Sequence, residues 1–470
     1  MSALSLSEKM LSGDDFSTQE KISVVAQLSI PGILAQISDI IMQYIDAAMV
    51  GVLGASASAS IGLVSSSTWL AGGIISAAAA GFSVQAAHAV GAGDHQKASS
   101  LFRQSLAATL IFSALIAVIG AMVSPVLPSL LKAEESLWKD ASAYLFCFCV
   151  FLPLRQLNRL CANMLQCSGD MKTPSIMLSV MCLLDVIFNF FLIFPSRTIS
   201  LFGLNVPVIG AGLGVLGAQL GTSLSVLVSA LMLFYAAAVK SEILKLRQGT
   251  GSWIVQKDVL SKALRIGIPM SLESSALSLA QIVSTRIIAP LGTTAIAAHS
   301  FAVTAESICY MPGFGISQAS TTLVGQSLGA KRKDLSRSFA WLCVAAGMIV
   351  MGLGGALMYV LCPYVFAFLT PVKEVQILGA RVLRYELLAE PLFAASIVGA
   401  GCLRGASDTL VPGIINLVSM WGIRLSLAWF LSKSLGLDGV WIAMAIELSC
   451  RGIFFLIRLK REKWLEQKGN

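Results

Sequence analysis

Apolar stretches recur along the whole chain, separated by short polar breaks, near 22–50, 58–89, 100–126, 138–167, 173–195 and 211–238. A second series follows near 259–290, 295–328, 336–363, 375–404, 411–432 and 437–458. About 20 mostly apolar residues at 1.5 Å rise cross the ~30 Å hydrocarbon core of a bilayer. The pattern therefore predicts an all-α integral membrane protein with about 12 transmembrane helices. Pro31, Pro153, Pro269 and Pro391 fall inside spans, where proline marks bends that neighbouring helices satisfy.

The first span carries polar residues that its apolar surroundings make costly. In IPGILAQISDIIMQYIDAAMVGVLG, Asp39 and Asp46 stand seven residues apart, near one helical face and about 10 Å apart along the axis. A carboxylate at the bilayer centre costs roughly 2.5–3.5 kcal/mol on the insertion scale. That face should turn toward protein or water, where such a carboxylate can bind a cation or a proton.

The pattern also repeats. A shift of 238 residues carries Pro31 onto Pro269, Gly54 onto Gly292, Gly91 onto Gly329, Pro125 onto Pro363 and Pro153 onto Pro391. It carries Asp170 onto Asp408 and Pro174 onto Pro412, and sets GAGDHQKASS beside GAKRKDLSRS. Beyond Pro174 the register slips by about fourteen residues, which places an extra loop at 197–208. Six spans per repeat bring both halves in from the same side, so the two six-helix bundles form a parallel internal repeat, as in secondary transporters. The expected divisions are an N-terminal segment 1–21, a first lobe 22–240, a linker 241–258, a second lobe 259–458 and a basic tail 459–470.

Composition supports the membrane reading: 56% hydrophobic, 12% charged and a mean hydropathy of +0.80, where soluble domains carry about 25% charged residues. The net charge of +8 matters by its placement. Lys9, Lys21, Lys97, Arg103, Lys172, Lys240, Lys245, Arg247, Lys257, Lys331, Arg332, Lys333, Arg337, Lys460, Arg461 and Lys463 lie at one set of helix ends; Lys132, Lys139, Arg197, Lys373 and Lys433 lie at the other. The positive-inside rule puts both termini and the linker in the cytoplasm, with the protein multi-pass in the cell membrane. Residues 1–21 lack a short apolar secretory core, so the first span is expected to direct insertion. Basic residues scattered over loops do not form a nucleic-acid surface. The cysteines, mostly inside spans and without paired CxxC spacing, read as packing residues, and neither a cofactor nor a zinc site is expected. Nothing resembles a nucleophile elbow, a phosphate loop or paired metal ligands, so an enzyme is not expected.

The words IDAAMVGVLG, GDMKTP, GLGVLGAQLGT, APLGTTAIAAH, LVGQSLGAKR and LRGASDT together resemble the multidrug and toxic compound extrusion (MATE) family over nearly the whole chain. The likeness is closer to the bacterial DinF-type branch. It implies alternating-access efflux of organic cationic or amphipathic small molecules, driven by inward flow of protons or sodium. It places the cation or proton site in the first lobe, on Asp46, Asp185, Asn189 and Thr222. Compared with that branch, the acid and amide of the fifth span are exchanged here. The NorM type instead carries acids in its seventh and tenth spans; this chain has Glu273 in the seventh, and Leu392 and Phe393 where the tenth-span acid would fall.

Two carboxylates in one pocket short of water do not both ionise cheaply, which suits a proton. The alternative is that an all-oxygen set at Asp46, Asp185, Asn189 and Thr222 holds Na+ instead. Asp39 and Gln43 are candidates for a surrounding or cavity role, and Gln36 for helix–helix bonding. Glu273, Glu306 and Arg155 are candidates for the substrate cavity, while Arg159, Glu386 and Glu390 have no assigned role. Arg424 and Glu447 are expected to pair. The alternative function is a lipid-linked saccharide flippase of the same superfamily, for which Arg155 and Arg159 would serve a pyrophosphate. A monomer in the bilayer is expected.

Overall fold

The computed structural model describes residues 3–131, 133–201, 204–246 and 252–466; Lys132, Arg247 and the adjoining part of the linker lie outside them. A short helix, α1 (Ala3–Leu11), precedes the long α2 (Thr18–Gly51). Ser17 starts α2 with a capping box: its hydroxyl accepts from the Glu20 N–H at 3.2 Å, and the Glu20 carboxylate accepts from the Ser17 N–H at 2.8 Å. The first half continues through α3 (Ala55–Gly91), α4 (His95–Val123), the single turn α5 (Leu127–Leu130), α6 (Glu135–Val150), α7 (Leu152–Cys167) and α8 (Lys172–Leu192). A hairpin of β1 (Pro195–Leu201) and β2 (Leu204–Ala211) leads into α9 (Gly214–Tyr235), whose end runs on as a π turn. The second half holds α10 (Lys257–Ile288), α11 (Thr293–Gly329), α12 (Lys333–Leu369), α13 (Lys373–Leu387) and α14 (Glu390–Gly405). It ends with α15 (Leu410–Leu417), α16 (Ser426–Leu435) after a π stretch, and α17 (Leu437–Lys460).

The sequence repeat is a repeat of helices. α3, α4, α6, α7 and α8 begin at 55, 95, 135, 152 and 172, and α11, α12, α13, α14 and α15 each begin 238 residues later. The shift also relates two outward stripes. Ile111, Leu115, Ile119 and Met122 are exposed along α4, and Ile349, Leu353, Leu357 and Val360 at the shifted positions along α12. Large apolar side chains left exposed at helical spacing mark the face that meets lipid.

Nine helices among the described residues are long and apolar enough to cross a membrane, and eleven spans result when each bent pair is counted as one. The bent pairs are α6–α7, at 48°, and α13–α14, at 57°. Pro153 and Pro391 stand at the second position of α7 and α14, where the ring removes an N–H and breaks the ladder. α11 completes the second set of six; its 37 residues match α3 in length. Its polar positions face protein: Ser317 and Ser320 donate to carbonyls of Ile397 and Val398 on α14. The hairpin adds β structure to an otherwise helical chain and contains the loop expected at 197–208. Arg197 lies over the Phe194 and Phe190 rings there, at 4.0 and 4.8 Å.

Turns repeat as well, in two cases with different residues. Gly54 and Gly292 both have positive φ, as do Gly93 and Lys331, and Gly169 and Ser407, each pair 238 residues apart. Lys331 and Ser407 hold φ of 59° and 62°, a conformation costing a side chain about 1 kcal/mol. Lys331→Gly and Ser407→Gly should each stabilise the protein by about 0.5–1 kcal/mol, seen as a higher melting temperature in detergent.

The halves meet along α2, α3, α10 and α11. Gly32 lies against the Gly315 backbone, Gly91 against the Gln326 carbonyl and Gly329 against the His88 carbonyl, approaches that a Cβ would prevent. Near the face that carries both described chain ends, four side chains also cross the seam. Gln85 donates to the Val259 carbonyl at 3.1 Å, Thr322 to Gln166 at 3.1 Å and Gln326 to Cys167 at 2.8 Å, and His88 Nε2 lies 2.7 Å from the Gly405 carbonyl oxygen. Leu6, Met10 and Phe16 seat α1 and the following turn in the same core as Leu328, Leu335 and Phe339. The seam is thus packed tight at the terminus-bearing face.

Candidate functional site

In the first half, α2, α8 and α9 converge on one polar cluster. α9 approaches α8 closely because Gly217 faces the Leu192 carbonyl and Gly221 faces the Asn189 side chain. Ser38 and Ser179 share a hydrogen bond of 3.0 Å and Ser175 donates to the Pro31 carbonyl at 2.6 Å, tying α2 to α8. Within this frame Asn189 Nδ2 donates to Asp46 Oδ1 at 2.8 Å and to Asp185 Oδ2 at 3.0 Å. Asp185 and Asn189 are fully buried and four residues apart on α8, while Asp46 is half-buried. Among the described residues, none donates a hydrogen bond to Asn189 Oδ1.

The exchanged acid and amide of α8 therefore meet the first-helix acid. Thr222 does not take part through its hydroxyl, which donates to the Ala218 carbonyl of its own helix at 3.1 Å. Ser225, one turn further along, donates to the Thr222 carbonyl at 2.8 Å and stands 3.5 Å from Asp185 Oδ1, nearer to that acid than the Thr222 hydroxyl is shown to come. Nothing in the sequence singled out Ser225 among the serines of α9.

Asp39 accepts from Gln43 at 3.0 Å on the same helix. Arg155 stacks over Phe148, 4.7 Å from the ring centre, with Asp46 and Asp185 in electrostatic range, and Arg159 has Asp39 in range. Among the described residues, no side-chain hydrogen bond of Gln36 bears on the helix–helix bonding expected of it.

The second half contains a comparable pair. Asn416 donates to Glu273 Oε1, and Arg404 lies 3.7 Å from the same oxygen. Both pairs join the first and fifth spans of their half at a separation of 143 residues. Glu273 lies 227 residues after Asp46, not 238, so this pair sits 11 residues, about 16 Å, nearer the terminus-bearing face. Glu306, Glu386 and Glu390 are buried, and all four carboxylate oxygens of Glu386 and Glu390 lack a hydrogen-bond partner among the described residues. The expected Arg424–Glu447 pair is replaced. Glu447 binds Arg451 one turn away on α17 at 3.0 Å, and the Arg424 guanidinium packs on Met444. Four residues on one helix bring Glu447 and Arg451 together without any long-range constraint. Among the described residues, no group of three or more His, Cys, Asp or Glu side chains is arranged to hold a metal ion.

A profile of the MatE family matches residues 31–191 and again 269–430, starting at the two prolines that define the 238-residue shift. The chain belongs to the MatE family. Among curated proteins it is similar to the probable multidrug resistance protein NorM of Thermotoga maritima, at 27% identity over 93% of this chain and 92% of that protein. NorM of Idiomarina loihiensis is 28% identical over 93% of each chain, and MdtK of Yersinia enterocolitica 24% over 94% and 95%. Among solved structures, a MATE in the straight conformation superposes with a TM-score of 0.85 at 20% identity, covering 97% of this chain and 98% of that one. A MOP-superfamily transporter of Pyrococcus furiosus superposes with a TM-score of 0.85 at 19% identity and 98% coverage of both. This MatE protein is accordingly a multi-pass membrane protein with the transporter fold of its family.

Proposed function

We propose that this MatE protein exports organic cationic or amphipathic compounds by proton antiport, with Asp46, Asp185 and Asn189 as the coupling site. The curated relatives, named for multidrug resistance, support the export reading. The observation that carries the choice of ion is the orientation of Asn189. Its amide nitrogen, not its oxygen, faces both carboxylates. Sodium needs oxygen ligands around it, whereas an amide bridging two carboxylates leaves the remaining charge for a proton to neutralise. Proton arrival relieves the charge on the cluster, α2 repacks on the Pro31 side, and the cavity loses its attraction for a cation. Deprotonation on the opposite side restores that attraction.

The positive-inside pattern supports placing the terminus-bearing face in the cytoplasm, so the structure stands closed on that side. We read residues 22–240 and 259–458 as the two lobes, joined by the 241–258 linker and acting within one monomer. The flippase alternative rests on Arg155 and Arg159, and the curated relatives named for multidrug resistance support export over it. Glu306 and Asp39 remain proposed cavity contacts, whereas the Asn416 and Arg404 partners of Glu273 favour a structural role for it. The test is efflux of ethidium from liposomes under an imposed pH gradient or an imposed sodium gradient. Transport driven by the pH gradient alone is expected; sodium-driven transport would replace the ion, and none under either gradient would remove the export reading.

A further inference from the structure

Tyr44 crosses the seam between the halves far from the hydrogen bonds at the terminus-bearing face. Its hydroxyl donates to the Thr304 carbonyl at 2.7 Å and lies 2.9 Å from Ser307 Oγ, which donates to the same carbonyl at 2.7 Å. Along α2, Tyr44 stands 12 residues beyond Gly32, about 18 Å from the Gly32–Gly315 contact; Thr304 stands a similar distance from Gly315 along α11. Tyr44 also walls a cleft of about 210 Å³ with Ile37, Ile40, Ile41 and Ile308. The isoleucines lie on the Gly32 side of Tyr44, so the hydroxyl stands at the end of the cleft away from Gly32.

The position on α2 gives this contact its meaning. Tyr44 comes two residues before Asp46, about 200° round the helix. One helix thus shows its acid to Asn189 on α8 and its phenol to α11 across the seam. A turn or bend of α2 that changes the Asp46 contact cannot leave the Tyr44 contact in place.

We infer that Tyr44 is the positioning residue that links the Asp46 cluster to opening of the outer mouth, by clasping α2 to Thr304 and Ser307 of α11. This inference rests on the proposed coupling site and adds to it the element that the site moves. With the clasp made, the two halves stay joined on the outer side of the cleft. When α2 repacks, the hydroxyl leaves Thr304 and the halves can part there. Loss of one net hydrogen bond corresponds to about a fivefold shift of such an equilibrium.

Hydrogen–deuterium exchange of the purified protein tests this, read on peptides spanning 39–51 and 293–307 at low and high pH and corrected for the intrinsic pH dependence of exchange. The wild type should exchange faster in both segments at low pH. Tyr44→Phe keeps the ring in the cleft and removes the hydroxyl, so exchange should rise about fivefold at high pH and lose its pH dependence. Ser307→Ala should move in the same direction by less, and serves where Tyr44→Phe fails to fold. A Tyr44→Phe protein with the wild-type pH dependence overturns the clasp. An Asp46→Asn protein with the wild-type pH dependence overturns the coupling site beneath it.

Discussion

Asp46→Asn is expected to lose pH-driven efflux by about 100-fold or more, the scale of removing a proton-transfer group, while keeping its melting temperature within a few degrees. Asparagine has the same shape, and its oxygen can still accept from Asn189, so the packing of α2 on α8 survives. What disappears is a group able to take up and release a proton within the cluster. Asp185→Asn should do the same, because Asn189 holds both carboxylates through one nitrogen. Groups that act as a unit do not add. The double variant should therefore transport no worse than either single one. If the double variant loses much more than each single variant, the two aspartates work separately and the shared site is wrong. The sign with pH follows from the proposed direction of proton flow. Acidifying the outside should speed efflux, each unit of gradient supplying about 1.4 kcal/mol per proton, enough for roughly tenfold accumulation at one-to-one coupling.

The architecture was legible because its signals are local and doubled. Apolar runs set the spans, and scarce prolines and glycines set the turns, so one ungapped shift related the halves before any helix was seen. The first span holds two acids and the fifth one, and a membrane acid is costly enough to stand out alone. The partners of those acids leave no such local signal. Ser225 is one hydroxyl among several on α9, and its contact with Asp185 depends on helix rotation, which a hydropathy pattern does not carry. Thr222 was favoured by family likeness, yet on this backbone its hydroxyl is satisfied within its own helix. Asn416 meets Glu273 from 143 residues away, a distance across which periodicity says nothing. Arg424 and Glu447 looked complementary as charges, but Arg451 stood four residues from Glu447 and took the contact. Tyr44 was unmarked because an aromatic residue in a span is ordinary; its role follows only from what lies across the seam.

Gly221 is a position where a single methyl group should damage the site directly. A Cβ there would meet the Asn189 side-chain oxygen directly and lie 3.0 Å from its Cγ and its backbone nitrogen. The backbone of α8 cannot retreat, since Gly217 already brings α9 against the Leu192 carbonyl one turn away. Asn189 must then turn, and both of its bonds to carboxylates are lost, each worth about 1.5–3 kcal/mol when the acceptor is charged. Overpacking itself costs about 1–3 kcal/mol. Gly221→Ala is therefore expected to lower the melting temperature and to lose pH-driven efflux nearly as completely as Asp46→Asn. Gly62→Ala is the control, because nothing lies within 4 Å of its Cβ position and alanine favours the helix. Combining Gly221→Ala with Asn189→Ala separates packing from chemistry. The smaller partner relieves the clash, so stability should return in part, while efflux should stay lost for want of the bridging amide. Recovery of efflux in that pair would mean that Asn189 serves only to fill space, and that the two aspartates couple without it.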